Sequence, residues 1–240
     1  MNLPVAFRSE LARGTPDGLA VLVGVATVVF SALYFVSDLV ELVQGGFSTP
    51  QLALTYLAEA AIPLFVIGLY AVQRPAIGRL GLFGAVGYAY AFVFFTSTVV
   101  VALANRTSGW DALAAQFGPW ITIHGAVMMV AGSAFGVAVI RTGVLPRWTG
   151  VALIAGVILV AVSSVLPEIA QTAAAGVRDL AFAGMGASLL LARRPKLRPT
   201  ASLASSAERR RGTRQREGIG EPWAGGVETR VEPARESSPG

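Results

Sequence analysis

The sequence predicts an all-α fold, a polytopic transmembrane bundle of about six helices, on three observations. The 240 residues are 54% hydrophobic and 14% charged, whereas about a quarter of the residues in a soluble domain are charged. Apolar runs of about 18 residues or more, the length needed to cross roughly 30 Å of hydrocarbon, recur through residues 19–192. Basic residues accumulate in every second connection between these runs. A chain with this pattern is expected to cross a membrane repeatedly.

Six apolar runs define the predicted spans. Arg8 and Arg13 precede the first run, which is too long for a signal-peptide core and lacks an A-x-A cleavage pattern. This run is therefore expected to remain as a signal anchor. Arg178 and Asp179 interrupt the sixth run. The predicted spans are 19–40, 52–72, 80–104, 119–140, 149–166 and 173–192.

The charges in the connections predict the orientation. Basic residues mark the cytoplasmic side of a membrane protein, and here they flank the connections between spans two and three and between spans four and five. Both termini are therefore expected in the cytoplasm, with residues 1–18 as an N-terminal segment and residues 19–192 as the transmembrane domain. The cytoplasmic connections carry Arg74, Arg79, Arg141 and Arg147, and the outer connections carry Glu41, Arg106, Asp111 and Glu168.

Residues 193–240 differ in composition from the rest of the chain. They are rich in Arg, Ser, Gly, Pro and Glu, which predicts a disordered cytoplasmic tail. The tail holds eleven of the 19 basic residues and six of the 14 acidic residues, and so carries the whole net charge of +5. Anionic lipid headgroups are its expected partners, at about 1 kcal/mol per charge. Nucleic acid is the alternative, but no aromatic residues are interleaved with the basic clusters. The predicted lipid contacts are Arg193, Arg194, Lys196, Arg198, Arg209, Arg210 and Arg211.

Glycines recur within the predicted spans. In membranes, small residues allow helix backbones to approach closely, because there is no side chain between them. The sequence therefore predicts helix–helix contacts at Gly81, Gly84, Gly87, Gly132, Gly136, Gly184 and Gly186.

The stretch TYLAEAAIPLF in the second span places Glu59 four residues before Pro63. A proline has no N–H to donate, so the carbonyl of Glu59 loses its helical partner and a kink is predicted at Pro63. Charged side chains at membrane depth usually face the bundle interior and mark functional sites. At about 1.5 Å per residue, several such side chains lie at similar distances from the outer surface. They predict an outward-facing, outer-leaflet polar pocket of Asp38, Glu59, His124, Arg178 and Asp179.

Structural roles for these side chains are the alternative. Arg178 could extend to the outer headgroups, with Asp179 as its ion-pair partner. His124 could form a single interhelical hydrogen bond. A protonated Glu59 could bond to Tyr56 or to His124.

The sequence excludes several kinds of chemistry. It contains no cysteine, and its single histidine cannot supply both axial ligands of a haem. Walker, dinucleotide-binding, HExxH and nucleophile-elbow motifs are absent from it. No two of Asp38, Glu59, His124 and Asp179 have a local metal-binding spacing. We therefore expect neither a metal nor a cofactor, and an intramembrane enzyme would need these groups to converge on water.

The turn RTGVLPRWTG, between the fourth and fifth spans, resembles an inner turn of Leu-Pro-Arg-Trp type in uncharacterised six-helix integral membrane proteins of actinobacteria. The resemblance covers residues 120–194. It implies a multi-pass protein of a bacterial plasma membrane and no known activity.

Two functions are consistent with these patterns. The first is a non-enzymatic structural, regulatory or accessory role, with the lipid bilayer and a second copy or another membrane protein as partners. The alternative is a small proton- or cation-coupled transporter, or a solute-binding membrane protein, that uses the outer polar pocket.

Overall fold

The computed structural model describes residues 17–163 and 166–192. Within these ranges the chain is all-α, as predicted, with seven helices and no strand. The basic residues Arg8 and Arg13 and the predicted lipid contacts of the tail, Arg193 to Arg211, lie outside the described residues. The helices are α1 Asp17–Gln44, α2 Thr49–Val72, α3 Gly78–Asn105, α4 Trp110–Phe117, α5 Pro119–Thr142, α6 Arg147–Ser163 and α7 Glu168–Ala192.

Five of these helices, α1, α2, α3, α5 and α7, are long and apolar enough to cross a membrane. Each contains one of the predicted spans. The remaining predicted span, 149–166, corresponds to α6, which is apolar but has only 17 residues. Large apolar side chains are exposed on the outside of the helices, as contact with lipid requires. They include Leu22, Leu64, Phe83, Val93, Ile169 and Leu180.

Helix α4 is an element that the sequence analysis did not predict. It lies in the connection between α3 and α5 and buries only Leu113, while Asp111 occupies its first turn, near the positive end of the helix dipole. Gly118, at φ +54°, ends α4 and begins α5 in a left-handed conformation that glycine adopts readily. Eight residues are too few for a helical pattern to emerge from hydrophobic periodicity.

The six longer helices form a closed ring. Each packs against the next in chain order, with α4 set beside α5, and α7 closes the ring by packing on α1. We name its two ends by their connections. The α4 end carries residues 45–48 and α4, and the opposite end, the α2–α3 end, carries residues 73–77 and 143–146.

Glycines lie where the ring helices meet, which confirms most of the predicted contacts. A Cβ added to Gly84 of α3 would lie 2.5 Å from the backbone nitrogen of Phe135 in α5. At the closure of the ring, a Cβ on Gly186 of α7 would lie 2.6 Å from the carbonyl oxygen of Gly24 in α1. Gly81 differs from the prediction, because a Cβ there would meet Ile77 of the preceding turn. The other predicted positions, Gly87, Gly132, Gly136 and Gly184, all face a neighbouring helix.

An aromatic layer crosses the middle of the ring. Tyr88 and Phe182 lie with their ring centroids 5.6 Å apart, and Phe92 and Phe65 extend the layer at 5.0 Å from Tyr88 and 5.4 Å from Phe182, respectively. All four side chains are buried. Toward the α2–α3 end the interior is packed with apolar side chains, among them Leu69, Val72, Leu145, Met185 and Leu189.

Candidate functional site

A cavity of about 480 Å³ lies on the other side of the aromatic layer, toward the α4 end. Phe92 forms part of its wall, so the aromatic layer bounds the cavity from within the ring. Glu41, Phe47 and Trp110 are also on its wall, so the cavity reaches that end of the ring. All six ring helices and α4 contribute lining residues.

The cavity wall is polar on one side and largely apolar on the other. Every ionisable side chain on the described wall, apart from tyrosine, belongs to α1, α2 or α7: Asp38, Glu41, Glu59, Glu168 and Arg178. The surface from α3, α5 and α6 is mostly apolar, with the hydroxyls of Thr98, Thr122 and Ser163 as its polar groups. Its larger apolar members are Phe92, Phe95, Met128, Met129 and Val160.

A first polar cluster joins α1, α2 and α7. The Tyr34 hydroxyl donates a hydrogen bond of 2.6 Å to Glu59 Oε1. The Arg178 guanidinium lies 4.6 Å from the centre of the Tyr34 ring, and its Nε donates to Asp179 Oδ1 at 3.0 Å. A guanidinium above an aromatic face is attracted by the negative potential of the ring. Arg178 is thus held by an aromatic side chain from α1 and by a carboxylate of its own helix.

A second polar cluster, which the sequence analysis missed, lies between α1 and α2. The Gln51 side-chain amide donates to Glu41 Oε2 at 3.1 Å and to Thr55 Oγ1 at 3.0 Å. Ser37 Oγ lies 2.6 Å from Thr55 Oγ1. Pro50 is the sequence feature that could have indicated this cluster, because it lies in the first turn of α2, where proline is favoured. Gln51 is therefore helical, although it precedes the predicted span.

Three polar atoms of wall residues have no hydrogen-bond partner among the described residues: Glu59 Oε2, Gln51 Oε1 and Arg178 Nη2. These side chains are only 5%, 1% and 4% exposed, respectively. A buried polar atom left without a partner costs about 1–3 kcal/mol. Two acceptors and one donor of these wall residues therefore lack a partner within the described protein.

The structure divides the five predicted pocket residues. Asp38, Glu59 and Arg178 all line the cavity. Asp179 is buried and paired with Arg178, but it is not on the cavity wall. His124 is not on the wall either.

His124 forms a separate arrangement with α3. Its ring stacks on Phe94 at 3.7 Å between centroids and 7° between planes. Nδ1 lies 2.9 Å from the carbonyl oxygen of Trp120, and Nε2 lies 3.3 Å from the Tyr90 hydroxyl. Both ring nitrogens have partners outside the cavity, so this histidine takes no part in the Glu59 cluster.

The predicted structural alternatives agree with the structure in part: Asp179 pairs with Arg178, and His124 forms one interhelical hydrogen bond, with Tyr90. The others differ from it. Arg178 is only 4% exposed and points into the ring, so it does not extend to the headgroups. Glu59 bonds to Tyr34 instead of Tyr56 or His124, and Tyr56 is 40% exposed on the outside of α2. Pro63 lies inside α2, which continues to Val72, so the proline does not end the helix. The kink predicted there stays a prediction.

A metal site does not emerge from this geometry. Within residues 17–163 and 166–192, no three His, Asp or Glu side chains are arranged to hold an ion.

Comparisons with protein-family models, with curated proteins and with solved structures found no match. The function of the protein must therefore be inferred from the cavity itself. The resemblance to actinobacterial six-helix proteins stays a prediction.

Proposed function

We propose that this chain is a six-span protein of a bacterial plasma membrane, with both termini in the cytoplasm and the cavity open to the outer side. The place of α6 supports the sixth span, because this helix stands between α5 and α7 in the same ring as the five longer apolar helices. Its 17 residues extend about 25 Å at about 1.5 Å per residue, close to the thickness of the hydrocarbon core. The alternation of basic connections supports the orientation.

The cavity is the binding site for a small amphipathic cation. One observation carries this proposal: the carboxylates of the wall are gathered on one side of the cavity and face an apolar surface on the other. On the described wall, Asp38, Glu41, Glu59 and Glu168 accompany a single cationic group, Arg178, which is already paired with Asp179. Ionised carboxylates without a matching cation attract positive charge. A ligand with an ammonium group and an aromatic or alkyl body can contact both surfaces, the ammonium the carboxylates and the body the apolar side.

The size of the cavity agrees with such a ligand. A volume of about 480 Å³ falls within the range of roughly 300–1,000 Å³ that is usual for small-molecule sites. Glu59 Oε2 is free to accept a hydrogen bond from an ammonium group. The apolar body would then lie against Phe92, Phe95 and Met128.

Glu59 also links the binding of a cation to a proton. A protonated Glu59 carries no charge to attract an ammonium, so the same carboxyl group can hold the proton or the cation but not both. Exchange of one for the other is the simplest chemistry of a proton-coupled carrier. The Tyr34 hydroxyl, bonded to the other carboxyl oxygen, holds the side chain in place during the exchange.

The test uses the purified full chain in detergent, with phenethylammonium as probe and phenethyl alcohol as its neutral counterpart. Calorimetric titration in two buffers of different ionisation enthalpy measures both affinity and proton release. The ammonium should bind more tightly than the alcohol and release protons. Glu59→Gln should weaken ammonium binding by about tenfold or more and abolish the release, because a bond to a charged group contributes about 1.5–3 kcal/mol.

Asp111→Asn is the matched control. This carboxylate lies at the same end of the ring, is exposed, and is not on the cavity wall. Equal affinities for the ammonium and the alcohol would contradict the cation site, as would ammonium binding that survives Glu59→Gln. Uptake of labelled phenethylammonium into proteoliposomes under an imposed pH gradient would separate a carrier from a binding protein.

A structural, regulatory or accessory role is the second proposal, supported by the concentration of net charge in residues 193–240. Such a tail can adhere to anionic lipid or to another protein. Deletion of residues 199–240 should then change the localisation of the protein or the partners recovered with it. The same deletion should leave ammonium binding unchanged. Unaltered localisation and recovery would count against this role.

A further inference from the structure

A second cavity lies at the α2–α3 end of the ring, opposite the amphipathic cavity. It is a groove of about 240 Å³ between the start of α3 and the last turn of α5. Two arginines, Arg79 of α3 and Arg141 of α5, are on its wall, and both are exposed. Among the residues that the structure describes, no acidic side chain lines the groove; its described lining residues are Ala76, Ile77, Gly78, Arg79, Leu80, Ala138, Arg141 and Thr142.

The hydrogen-bond donors of this groove are available to an outside acceptor. In the part of the chain that the structure describes, the one ion pair is that between Arg178 and Asp179, so neither groove arginine has a carboxylate partner. At the first turn of α3, Gly78 N donates to Pro75 O and Gly81 N donates to Ile77 O. The N–H groups between them belong to the unpaired first turn of the helix.

We propose that this groove binds the phosphate of an anionic phospholipid of the phosphatidylglycerol class. Two guanidinium groups supply charge and forked donors for phosphate oxygens, and basic pockets between membrane helices on the cytoplasmic side are suited to acidic headgroups. The apolar walls distinguish a lipid from free phosphate. Leu80, 37% exposed, lies on the groove, and Phe83, 60% exposed, continues the outward surface of α3 one turn further. An acyl chain can follow this surface while the headgroup stays between the arginines.

The proposal is independent of the cation site, because the two cavities have no described lining residue in common. Its test is a thermal-stability titration of the full chain in mixed micelles that contain phosphatidylglycerol, phosphatidylcholine or inorganic phosphate. A ligand that binds only the folded protein raises the melting temperature with its concentration. Phosphatidylglycerol should raise it, whereas phosphatidylcholine and inorganic phosphate should not.

Arg79→Gln/Arg141→Gln should weaken the effect of phosphatidylglycerol by roughly 30-fold, since each charge near anionic lipid contributes about fivefold in affinity. The control is Arg74→Gln/Arg147→Gln, which removes the same charge from two exposed arginines at the same end of the ring that do not line the groove. Arg79→Lys/Arg141→Lys keeps the positive charge and should lose less of the stabilisation by phosphatidylglycerol than the glutamine variant. The basic tail is the same in all variants, so its contribution cancels.

Three results would overturn the proposal. An equal effect of phosphatidylcholine would show that charge is not recognised. Stabilisation by inorganic phosphate that depends on Arg79 and Arg141 would assign the groove to a free anion. An equal loss in the control variant would reduce the effect to the general basicity of the surface.

Discussion

The Glu59 and His124 regions differ in how completely their polar atoms are paired. At Glu59, one carboxyl oxygen is bonded to Tyr34 and the other has no partner among the described residues. At His124, both ring nitrogens have partners and the ring face is covered by Phe94. The predicted spans placed both side chains at similar depths, whereas the helix bounds place Glu59 ten residues and His124 five residues from the start of its helix. The pairing of polar atoms is therefore a better guide than predicted depth to the residue that serves a ligand.

Substitutions in the Glu59 region and in the His124 region should therefore have different consequences. Changes around the cavity should affect both stability and ligand binding, because its polar atoms serve both. Changes around His124 should affect stability alone. Three substitutions test this division, and they are ordered by the size of the expected effect.

Arg178→Leu should have the largest effect on stability. It leaves the Asp179 carboxylate buried without its partner, which costs about 3–5 kcal/mol for a buried ion pair. Arg178→Leu/Asp179→Leu should recover most of that loss, because the carboxylate that is paired with Arg178 is removed together with it. Unfolding titrations of the detergent-solubilised protein measure both. If the double variant were as unstable as the single one, the loss would have to come from the contact of Arg178 with Tyr34 and not from the unpaired carboxylate.

Gly156→Ala should reduce stability by about 1–3 kcal/mol, the usual cost of overpacking. A Cβ at this position of α6 would lie 2.6 Å from the backbone nitrogen of Arg178, so α7 must move outward and carry the guanidinium with it. Ammonium binding should weaken as well, because Arg178 lines the cavity. The same titrations and the calorimetric assay check the two effects.

The control for the stability effect is Gly125→Ala in α5, where nothing lies within 4 Å of the added Cβ because Gly125 lines the cavity. Alanine is favoured over glycine in a helix by up to about 1 kcal/mol, so this variant should be neutral or slightly more stable. Equal losses at the two positions would mean that helix packing at Gly156 is not what the substitution disturbs.

His124→Leu should cost about 1–2 kcal/mol of stability, from the stacking contact with Phe94 and one interhelical hydrogen bond. It should leave phenethylammonium binding and proton release unchanged. Lower affinity in this variant, at a temperature where it is fully folded, would remove the distinction between the two regions.

Hydrophobic pattern alone predicted the helical spans, because long apolar runs have few alternatives to a membrane helix. Helix α4 was not predicted because it is short. The role of Gln51 was not predicted because this polar residue, beside Pro50, precedes the predicted span. His124 and Met128 are one helical turn apart on α5, and Met128 does line the cavity. The histidine ring instead turns to Phe94 and Tyr90 on α3, a choice that depends on the neighbouring helix.

The closure of the ring by α7 has a consequence for the biogenesis of the protein. Chains are synthesised from the N-terminus, so the first helix must wait in the membrane until the last one arrives before it gains its second neighbour. That last helix also delivers Arg178, the one cationic side chain on the described cavity wall. A nascent chain that stops short of it would hold Asp38 and Glu59 in the bilayer without a guanidinium on the same cavity wall. Closure of the ring and the arrival of this guanidinium at the cavity wall are thus a single event.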